Sequence, residues 1–228
     1  MINHFYYSNF VQISVKGLFY LNQIKMKKLG FLLLAGIFLF SIGMVNAQKL
    51  KSGDIKVLKG QTSLNLQYDY ASMAVGKFKN EKDYIDDGTA DRNKKKAGSG
   101  DEWAKKWESD KTARFQPTFE KNLNGKLSDI GITAKEGSDA KYTMIVKVTF
   151  LEQGFQSGMG VSKPAYINML IEIVEGSNPG TPLATIVYDK IQSANMMGYD
   201  YDTGARVQSC FDRAGDNIGK FIEKNLSK

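Results

Sequence analysis

The sequence has almost no histidine or cysteine, and this scarcity excludes several chemistries. Among 228 residues the only histidine is His4 and the only cysteine is Cys210. Beyond position 4 there is therefore no Ser-His-Asp or Cys-His catalysis and no zinc site built with histidine. A single cysteine forms no internal disulfide, so the core must hold without one.

The first 47 residues contain no acidic residue, and their pattern predicts export. Met26 is followed by two lysines and an apolar run over Leu29–Val45, and Val45 and Ala47 occupy the −3 and −1 positions of a cut after Ala47. This layout is typical of a secretory signal. The alternative is an uncleaved anchor, but the run of 17 residues is short for a spanning helix, which needs about 20. No cysteine follows the cut, which favours a periplasmic or extracellular protein that is not a lipoprotein.

Residues 1–25 resemble no targeting segment, so we interpret them as an upstream gene-model extension before a signal peptide at 26–47. The first 47 residues hold four lysines, so the net charge of +7 falls to +3 once they are removed. A high isoelectric point that comes partly from a signal is no argument for nucleic-acid binding. We therefore predict no nucleic-acid partner and no stable membrane span after cleavage.

Four segments show the period-two alternation of strands that are buried on one face. They are residues 62–70, 141–153, 165–175 and 183–192, and in the last of them the alternation is least regular. Residues 48–60 are rich in lysine and glycine and are interpreted as a tether or a first edge segment. A polar insertion at about 79–100 separates the first strand from the rest, with a short helix possible around 81–93.

Two regions have helical spacing. Trp103 and Trp107 lie four residues apart, and Pro117 fits the first turn of a helical stretch. Whether 101–130 is one kinked helix or two stays open. In the C-terminal stretch Asp202 or Thr203 is the expected cap, and apolar residues follow at helical spacing. These residues are Val207, Phe211, Ala214, Ile218, Phe221 (or Ile222) and Leu226.

The order strand, helix, three strands, helix predicts one α+β domain over 61–228. We expect a mixed sheet of about four main strands with helices packed on one face. A helical crossover makes the first two strands parallel, and short loops make the last three an antiparallel meander. The loops Ala71–Asn80, Gly154–Lys163 and Ala194–Gly204 should then share one end of the sheet.

Two stretches carry a family resemblance, which covers most of residues 60–226. They are YASMAVGKFKNEKDYI…NKKKAGSGDEWAKKWESDKTARFQPTFEKNL and CFDRAGDNIGKFIEKNL. Both resemble an uncharacterised family of exported proteins from Bacteroidetes. More distantly, the element order and the last helix are similar to the periplasmic domain of the curli secretion component, to LpoB and to TolB N-terminal-like domains. That resemblance implies a non-catalytic envelope module that docks other proteins, although this chain lacks their lipid-anchor cysteine.

Several polar motifs were weighed as sites, and each has a simpler interpretation. Asp200–Gly204 resembles the start of a calcium loop, but position 12 is Phe211 rather than glutamate. Asp86 and Asp87 are adjacent acids that we expect to be solvated, and the basic run Lys94–Lys96 is expected to be surface. The sequence predicts no metal and no cofactor.

Three residues in the last helix, and its cysteine, are predicted to serve packing. Ala214, Gly215 and Gly219 are small, which indicates a close approach of the helix, expected to be to the sheet. No strand-to-helix GxGxxG accompanies them, so a cofactor phosphate is disfavoured. Cys210 lies at the edge of the apolar face and is predicted to be a small core residue rather than a reactive thiol.

The three loops at the shared sheet end are rich in methionine and aromatic residues. We name these residues the apolar rim and predict that they form a binding surface; the alternative is that the loops pack on one another. The apolar rim consists of Met73, Phe78, Phe155, Met159, Met196, Met197, Tyr199 and Tyr201.

The sequence therefore predicts a non-catalytic, exported binding or envelope-interaction module rather than an enzyme. The expected partner is another envelope protein or a glycan. The alternative is a carboxylate-dependent enzyme acting on glycans, which would need two acids facing each other across a pocket. A binding module needs instead a flat or convex apolar surface.

Overall fold

A computed structural model describes residues 48–157, 161–194 and 202–227, which belong to one compact unit. The predicted upstream extension and signal peptide lie outside the described residues. The strands are β1 (Gln48–Gly53), β2 (Ser63–Asp69), β3 (Ala74–Val75), β4 (Thr133–Glu136), β5 (Tyr142–Glu152), β6 (Phe155–Gln156), β7 (Ser162–Lys163), β8 (Tyr166–Glu175) and β9 (Ala184–Gln192). The helices are α1 (Glu81–Lys95), α2 (Ser99–Asp110), α3 (Gln116–Leu127) and α4 (Thr203–Leu226).

The main sheet is mixed and has the order β1-β9-β8-β5-β2-β4, with β3 also pairing with β5. Strand β2 runs parallel to β5, and β5, β8 and β9 form an antiparallel meander. Strands β2 and β5 are parallel because a helical crossover connects them, whereas β5, β8 and β9 are antiparallel because their connections are short. The predicted α+β fold with its strand–helix–meander–helix order is confirmed.

One face of the sheet forms the core because apolar residues alternate in register across neighbouring strands. One row across β2, β5, β8 and β9 consists of residues that lie opposite one another and are all buried: Leu66, Met144, Ile173 and Ala184. Helix α4 covers this face with a buried stripe that includes Phe211 and Ile218. The helices thus pack on one face, as the sequence predicted.

The two glycines among the small residues of α4, Gly215 and Gly219, serve a close approach to helix α3 rather than to the sheet, and Ala214 is buried in the core. A Cβ atom on Gly215 would lie 2.4 Å from the Phe119 carbonyl oxygen, and one on Gly219 would lie 2.7 Å from Lys126 Cβ. The expectation of a helix–sheet contact was therefore wrong about the partner. Cys210 is fully buried in the core, as predicted, and burial raises the pKa of its thiol to about 12.

The helical region that the sequence left open is one continuous helical run with a local defect. Helices α2 and α3 are joined by a π-helical turn, Lys111–Phe115, and residues on both sides keep right-handed helical dihedrals. Pro117 lies just after this turn and supplies no backbone N–H. A π-helical turn shifts the hydrogen-bond partners by one residue, which accommodates such a gap without ending the helix.

Three further elements differ from the sequence-based description. Residues 48–53 form the edge strand β1, which pairs with β9. For these residues the interpretation as an edge segment is right, and the interpretation as a tether is wrong. Strand β4 pairs with β2 at the opposite edge and was not predicted. The polar insertion contains α1, a full helix of 15 residues that Asn80 caps through Asp83 N. Within the described ranges no helix is long and apolar enough to cross a membrane.

Candidate functional site

The C-terminal ends of β2, β5 and β9 meet at one end of the sheet. Because β2 is parallel to β5, and β9 is antiparallel to β8, the three strands point the same way. The loops after them therefore lie at the same end: the Gly76 N–H donates to the Leu151 carbonyl, and the Ser193 N–H donates to the Ala165 carbonyl. This is the end where the sequence placed the apolar rim.

The structure separates the described residues of the apolar rim. Met73 is only 1% exposed and belongs to the core, so it offers no surface and its assignment to the rim was wrong. Phe78 is partly buried edge-on against Tyr84, 5.8 Å between ring centroids. Phe155 is 48% exposed. The other five members lie outside the described residues: Met159, Met196, Met197, Tyr199 and Tyr201.

Phe155 lies on a small hairpin that is separate from the main sheet. Strands β6 and β7 pair only with each other, with Phe155 opposite Lys163 and Gln156 opposite Ser162. Gly154 makes the turn out of β5 with φ of 62°, and a Cβ atom there would lie 2.3 Å from the Lys163 carbonyl oxygen. A side chain at this position is excluded both by backbone conformation and by space.

One face of this hairpin is apolar and basic. Residues in register on paired strands share a face, and next neighbours alternate. The Ser157 N–H donates to the Val161 carbonyl at 2.9 Å, which continues the register of β6 and β7. Phe155, Ser157, Val161 and Lys163 therefore lie on one face, which we call the hairpin face. Val161 is 60% exposed, more than Phe155.

The base of the hairpin is fixed by Arg206, which lies in the first turns of α4. This arginine is only 6% exposed. Its guanidinium donates to the carbonyls of Gln153 (3.1 Å) and Gly154 (3.4 Å) and to the Thr203 hydroxyl (3.0 Å). These bonds join the end of β5 to the start of α4. Glu152 adds a second tie through an ion pair with Lys163 at 2.7 Å.

Asp202 caps α4 and ties it to the π-helical turn. Its carboxylate accepts from the Gly204 N–H at 2.8 Å and pairs with Arg114 at 3.1 Å. Arg114 also approaches Asp110 at 3.6 Å. Burial opposes ionisation of Asp202, but Arg114 and the Gly204 N–H outweigh it and hold the pKa below its ordinary value. The predicted cap is confirmed, and these contacts give Asp202 a structural role; Asp200 lies outside the described residues.

A cluster of aromatic rings supports the neighbouring loop Ala71–Asn80. Tyr84 of α1 lies against Trp103 (5.4 Å) and Trp107 (4.8 Å) of α2, and its hydroxyl donates to Gln153. Burial is the main cause that raises the pKa of Tyr84 to about 12. Trp107 in turn donates to Glu81 at 2.6 Å. Both tryptophans are thus engaged within the protein.

The buried basic residue of this sheet end was missed by sequence reasoning. Arg206 precedes Cys210 by four residues and Ala214 by eight, so it lies on the apolar face of an amphipathic helix. An arginine on such a face needs buried partners. This signal could have identified Arg206 as a residue that fixes another segment.

A polar groove lies elsewhere, between α3 and the edge strand β4. It has a volume of about 320 Å³. Glu120 lines it from α3 and Glu136 from β4, and Gln116 and Asn124 of α3 also line it. The Tyr68 hydroxyl donates to the Gln116 carbonyl at 3.2 Å. Burial is the main cause that raises the pKa of Tyr68, and the negative charge of Glu120 raises it further.

The other polar motifs are surface features. Asp86 and Asp87 are exposed on α1, where Asp86 pairs with Lys82, and Lys94–Lys96 are exposed at its end. No three histidine, cysteine, aspartate or glutamate side chains are grouped as metal ligands in the part of the chain that the structure describes.

Comparison with known proteins gives a distant structural similarity. No family model matches this chain, and no curated protein matches it. A PelC dodecamer from Paraburkholderia phytofirmans is 10% identical over 76% of this chain and 97% of its own, with a TM-score of 0.37. A Xanthomonas campestris protein under the family model DUF330 is 12% identical over 78% of this chain and 92% of its own, with a TM-score of 0.30. At these values the similarity carries no inference about function.

Proposed function

We propose that this protein is a non-catalytic, exported binding module that docks on a component of the cell envelope through the hairpin face. One observation carries the proposal: Phe155 (48%) and Val161 (60%) are the most exposed large apolar side chains in the described part of the chain, and they share one face. Exposed apolar surface of this kind commonly marks a contact site.

The rigid base of the hairpin supports a docking role. Arg206 and Glu152 hold the base of the hairpin to α4 and to β5, so that base needs little ordering on binding. A pre-organised surface binds more tightly because less conformational entropy is lost. The sequence adds the secretory signal and the resemblance to exported, non-catalytic envelope modules. We propose a periplasmic or extracellular location without a lipid anchor.

Retention on the envelope tests this function. The chain starting at Gln48 holds the compact unit and its core, and would be mixed with the isolated envelope fraction of its own cell. We expect Phe155→Ser with Val161→Ser to reduce retention about fivefold or more, because burial of two apolar side chains is lost. Leu50→Ser is the matched control, since Leu50 is 37% exposed on edge strand β1. Equal retention of the double variant and the parent chain would contradict the proposal.

The second candidate is a carboxylate-dependent enzyme acting on glycans. The groove between α3 and β4 favours it, because Glu120 and Glu136 both line the same concavity. Glycoside hydrolysis uses such a pair, one carboxyl as acid and the other as base or nucleophile. If this candidate is right, the protein hydrolyses envelope or dietary polysaccharides, and Glu120→Gln or Glu136→Gln lowers the rate about 100-fold or more. The exposed Glu102→Gln is the control. Absence of hydrolysis by the parent chain refutes this candidate.

A further inference from the structure

We infer that Asn124 closes the β4 edge of the sheet, and that the Asn124–Gly125 pair is a deamidation site whose conversion reopens this edge. Deamidation turns the side-chain amide of an asparagine into a carboxylate. The contacts of the Asn124 amide therefore determine both how fast the reaction runs and what it does to the fold. This edge lies apart from the hairpin face and plays no part in the docking function.

Strand β4 lies at the edge of the sheet, and one of its residues turns both backbone groups outward. The Thr133 N–H donates to the Thr62 carbonyl at 2.9 Å, on the side of β2. Successive residues of a strand direct their backbone groups to opposite sides, so the N–H and carbonyl of Ala134 point away from β2. Outward groups of this kind on an edge strand pair readily with other chains unless something covers them.

The side-chain amide of Asn124 takes the place of the missing neighbour strand. Its Nδ2 donates to the Ala134 carbonyl at 2.7 Å, and its Oδ1 accepts from the Ala134 N–H at 2.8 Å. An asparagine amide can make both bonds because it carries a donor and an acceptor, as a peptide group does. The Ile132 N–H donates to the Leu127 carbonyl at 3.0 Å, so the end of α3 also covers the start of this edge.

The residue that follows Asn124 is the one that hinders deamidation least. In this reaction the backbone nitrogen of the next residue attacks Cγ of the asparagine. A bond from that nitrogen to Cγ closes a succinimide ring, the Cγ–Nδ2 bond breaks, and ammonia leaves with the proton of the attacking nitrogen. Water then opens the ring to aspartate or isoaspartate. Glycine has no Cβ to obstruct the attack, and Asn124–Gly125 is the only Asn-Gly pair in the sequence.

The folded structure opposes this reaction. The Asn124 amide must release Ala134 before its Cγ can meet the Gly125 nitrogen. Gly125 lies within α3, and an N–H in an α-helix is engaged with the carbonyl four residues earlier. Both residues are near the C-terminal end of α3, which ends at Leu127. Opening of this last turn together with release of β4 must therefore precede the attack.

Conversion should prevent the edge from closing again. At neutral pH an aspartate at position 124 has two acceptor oxygens and no donor, so it cannot bond to the Ala134 carbonyl. Isoaspartate also lengthens the backbone of α3 by one atom. Ala134 is fully buried, and a buried carbonyl that loses its donor destabilises the folded state.

Deamidation rates in the folded and the unfolded chain test the site. The chain starting at Gln48 would be kept at mildly alkaline pH with and without urea, and the peptide that contains Asn124 followed by mass spectrometry. We expect conversion at Asn124 to be at least about 30-fold slower in the folded chain. In urea it should be about tenfold or more faster than at Asn122, which precedes Leu123, and Gly125→Ala should remove most of this excess. Equal rates with and without urea, or equal rates at the two asparagines in urea, overturn the inference.

The variant Asn124→Asp tests the effect of conversion. We expect the urea midpoint at about pH 7 to fall by about 0.5 M or more. A protonated carboxyl both donates and accepts, so the Ala134 carbonyl raises the pKa of this aspartate, and the deficit should shrink as the pH falls through that pKa. Asn124→Leu makes neither bond and should keep its deficit. The charged groups of the adjoining groove are present in every chain, so comparison with the parent at each pH accounts for them: Glu120, Lys121 and Glu136.

Asn122→Asp is the matched control because it places the same charge in the same helix. The Asn122 amide donates within α3, to the Thr118 carbonyl at 2.8 Å, and does not hold the sheet edge. We expect its deficit to be less than about half that of Asn124→Asp, since it reports the unfavourable charge near a helix C-terminus alone. Equal deficits in the two aspartate variants, or a parent-like midpoint for Asn124→Asp at about pH 7, would show that Asn124 does not close the edge.

Discussion

Replacing Arg206 with methionine should lower the free energy of unfolding by about 3 kcal/mol. The guanidinium is buried and donates to two carbonyls, Gln153 and Gly154, at the point where β5 leaves the sheet. Methionine keeps much of the length of the side chain but donates no hydrogen bond. The two carbonyls then stay partly desolvated without this donor, and that penalty accounts for most of the expected loss. Urea denaturation measures it.

Arg213→Met is the matched control for this prediction. Arg213 lies on the same helix and also donates to a backbone carbonyl, that of Gln192, but its bond is exposed to solvent. Water can replace an exposed donor, so we expect a change of less than about 0.5 kcal/mol. A cost for Arg206→Met no larger than that of Arg213→Met would show that the buried bonds contribute little.

The same variant reports on the hairpin. If Arg206 fixes its base, Arg206→Met should make cleavage between Gly154 and Lys163 faster under native conditions than cleavage elsewhere in the chain. Arg206→Lys keeps the charge and should restore only part of the protection, since an ammonium lacks the planar fork of a guanidinium. Uniform acceleration at all sites would indicate a purely global loss of stability.

The central strands could be predicted from the sequence because both sides of each are paired and one face is buried. Their apolar residues therefore alternate with less buried ones, as in β2 and β8. Strand β4 has four residues and only Ala134 is buried, so no alternation is present to detect. In β1 the side chains of Lys49 and Lys51 are exposed, a common feature of edge strands that resist further pairing. Whether such a segment forms an edge strand depends on the strand it pairs with in the folded protein, and the local sequence pattern does not show that strand.

The candidate site could be predicted only in its position. Strand directions placed three loops at one end of the sheet, but a loop has no period that tells buried from exposed residues. Met73 is buried because the two-residue strand β3 re-enters the sheet beside Phe150 and Leu151 of β5. Phe155 is exposed because Gly154 turns the chain out of the same sheet. The burial of Met73 and the exposure of Phe155 thus depend on a two-residue strand and on a turn, and neither leaves a hydrophobic pattern in the sequence.

Replacing Gly215 with alanine should destabilise the protein by about 3 kcal/mol, although alanine is the better helix former. Gly215 lies in α4 where that helix approaches α3, and a Cβ atom would lie 2.4 Å from the Phe119 carbonyl oxygen and 3.0 Å from the Leu123 nitrogen. Both atoms are backbone, so relief requires one helix to move away from the other. That movement would loosen the packing around Phe119 and Phe211, which are fully buried.

Gly125→Ala should change the free energy of unfolding in the opposite direction, although it lies in the same pair of helices. Gly125 is exposed in α3, and apart from its chain neighbours and the nearby backbone of its own helix no heavy atom lies within 4 Å of the position that an added methyl group would take. The lower unfolded-state entropy and higher helix propensity of alanine should stabilise the protein by about 0.5–1 kcal/mol. Thermal and urea unfolding of the two variants should therefore diverge from the parent in opposite directions. If Gly215→Ala stabilised the protein as Gly125→Ala does, the close approach of α3 and α4 would be refuted, because a helix interior without that contact favours alanine over glycine.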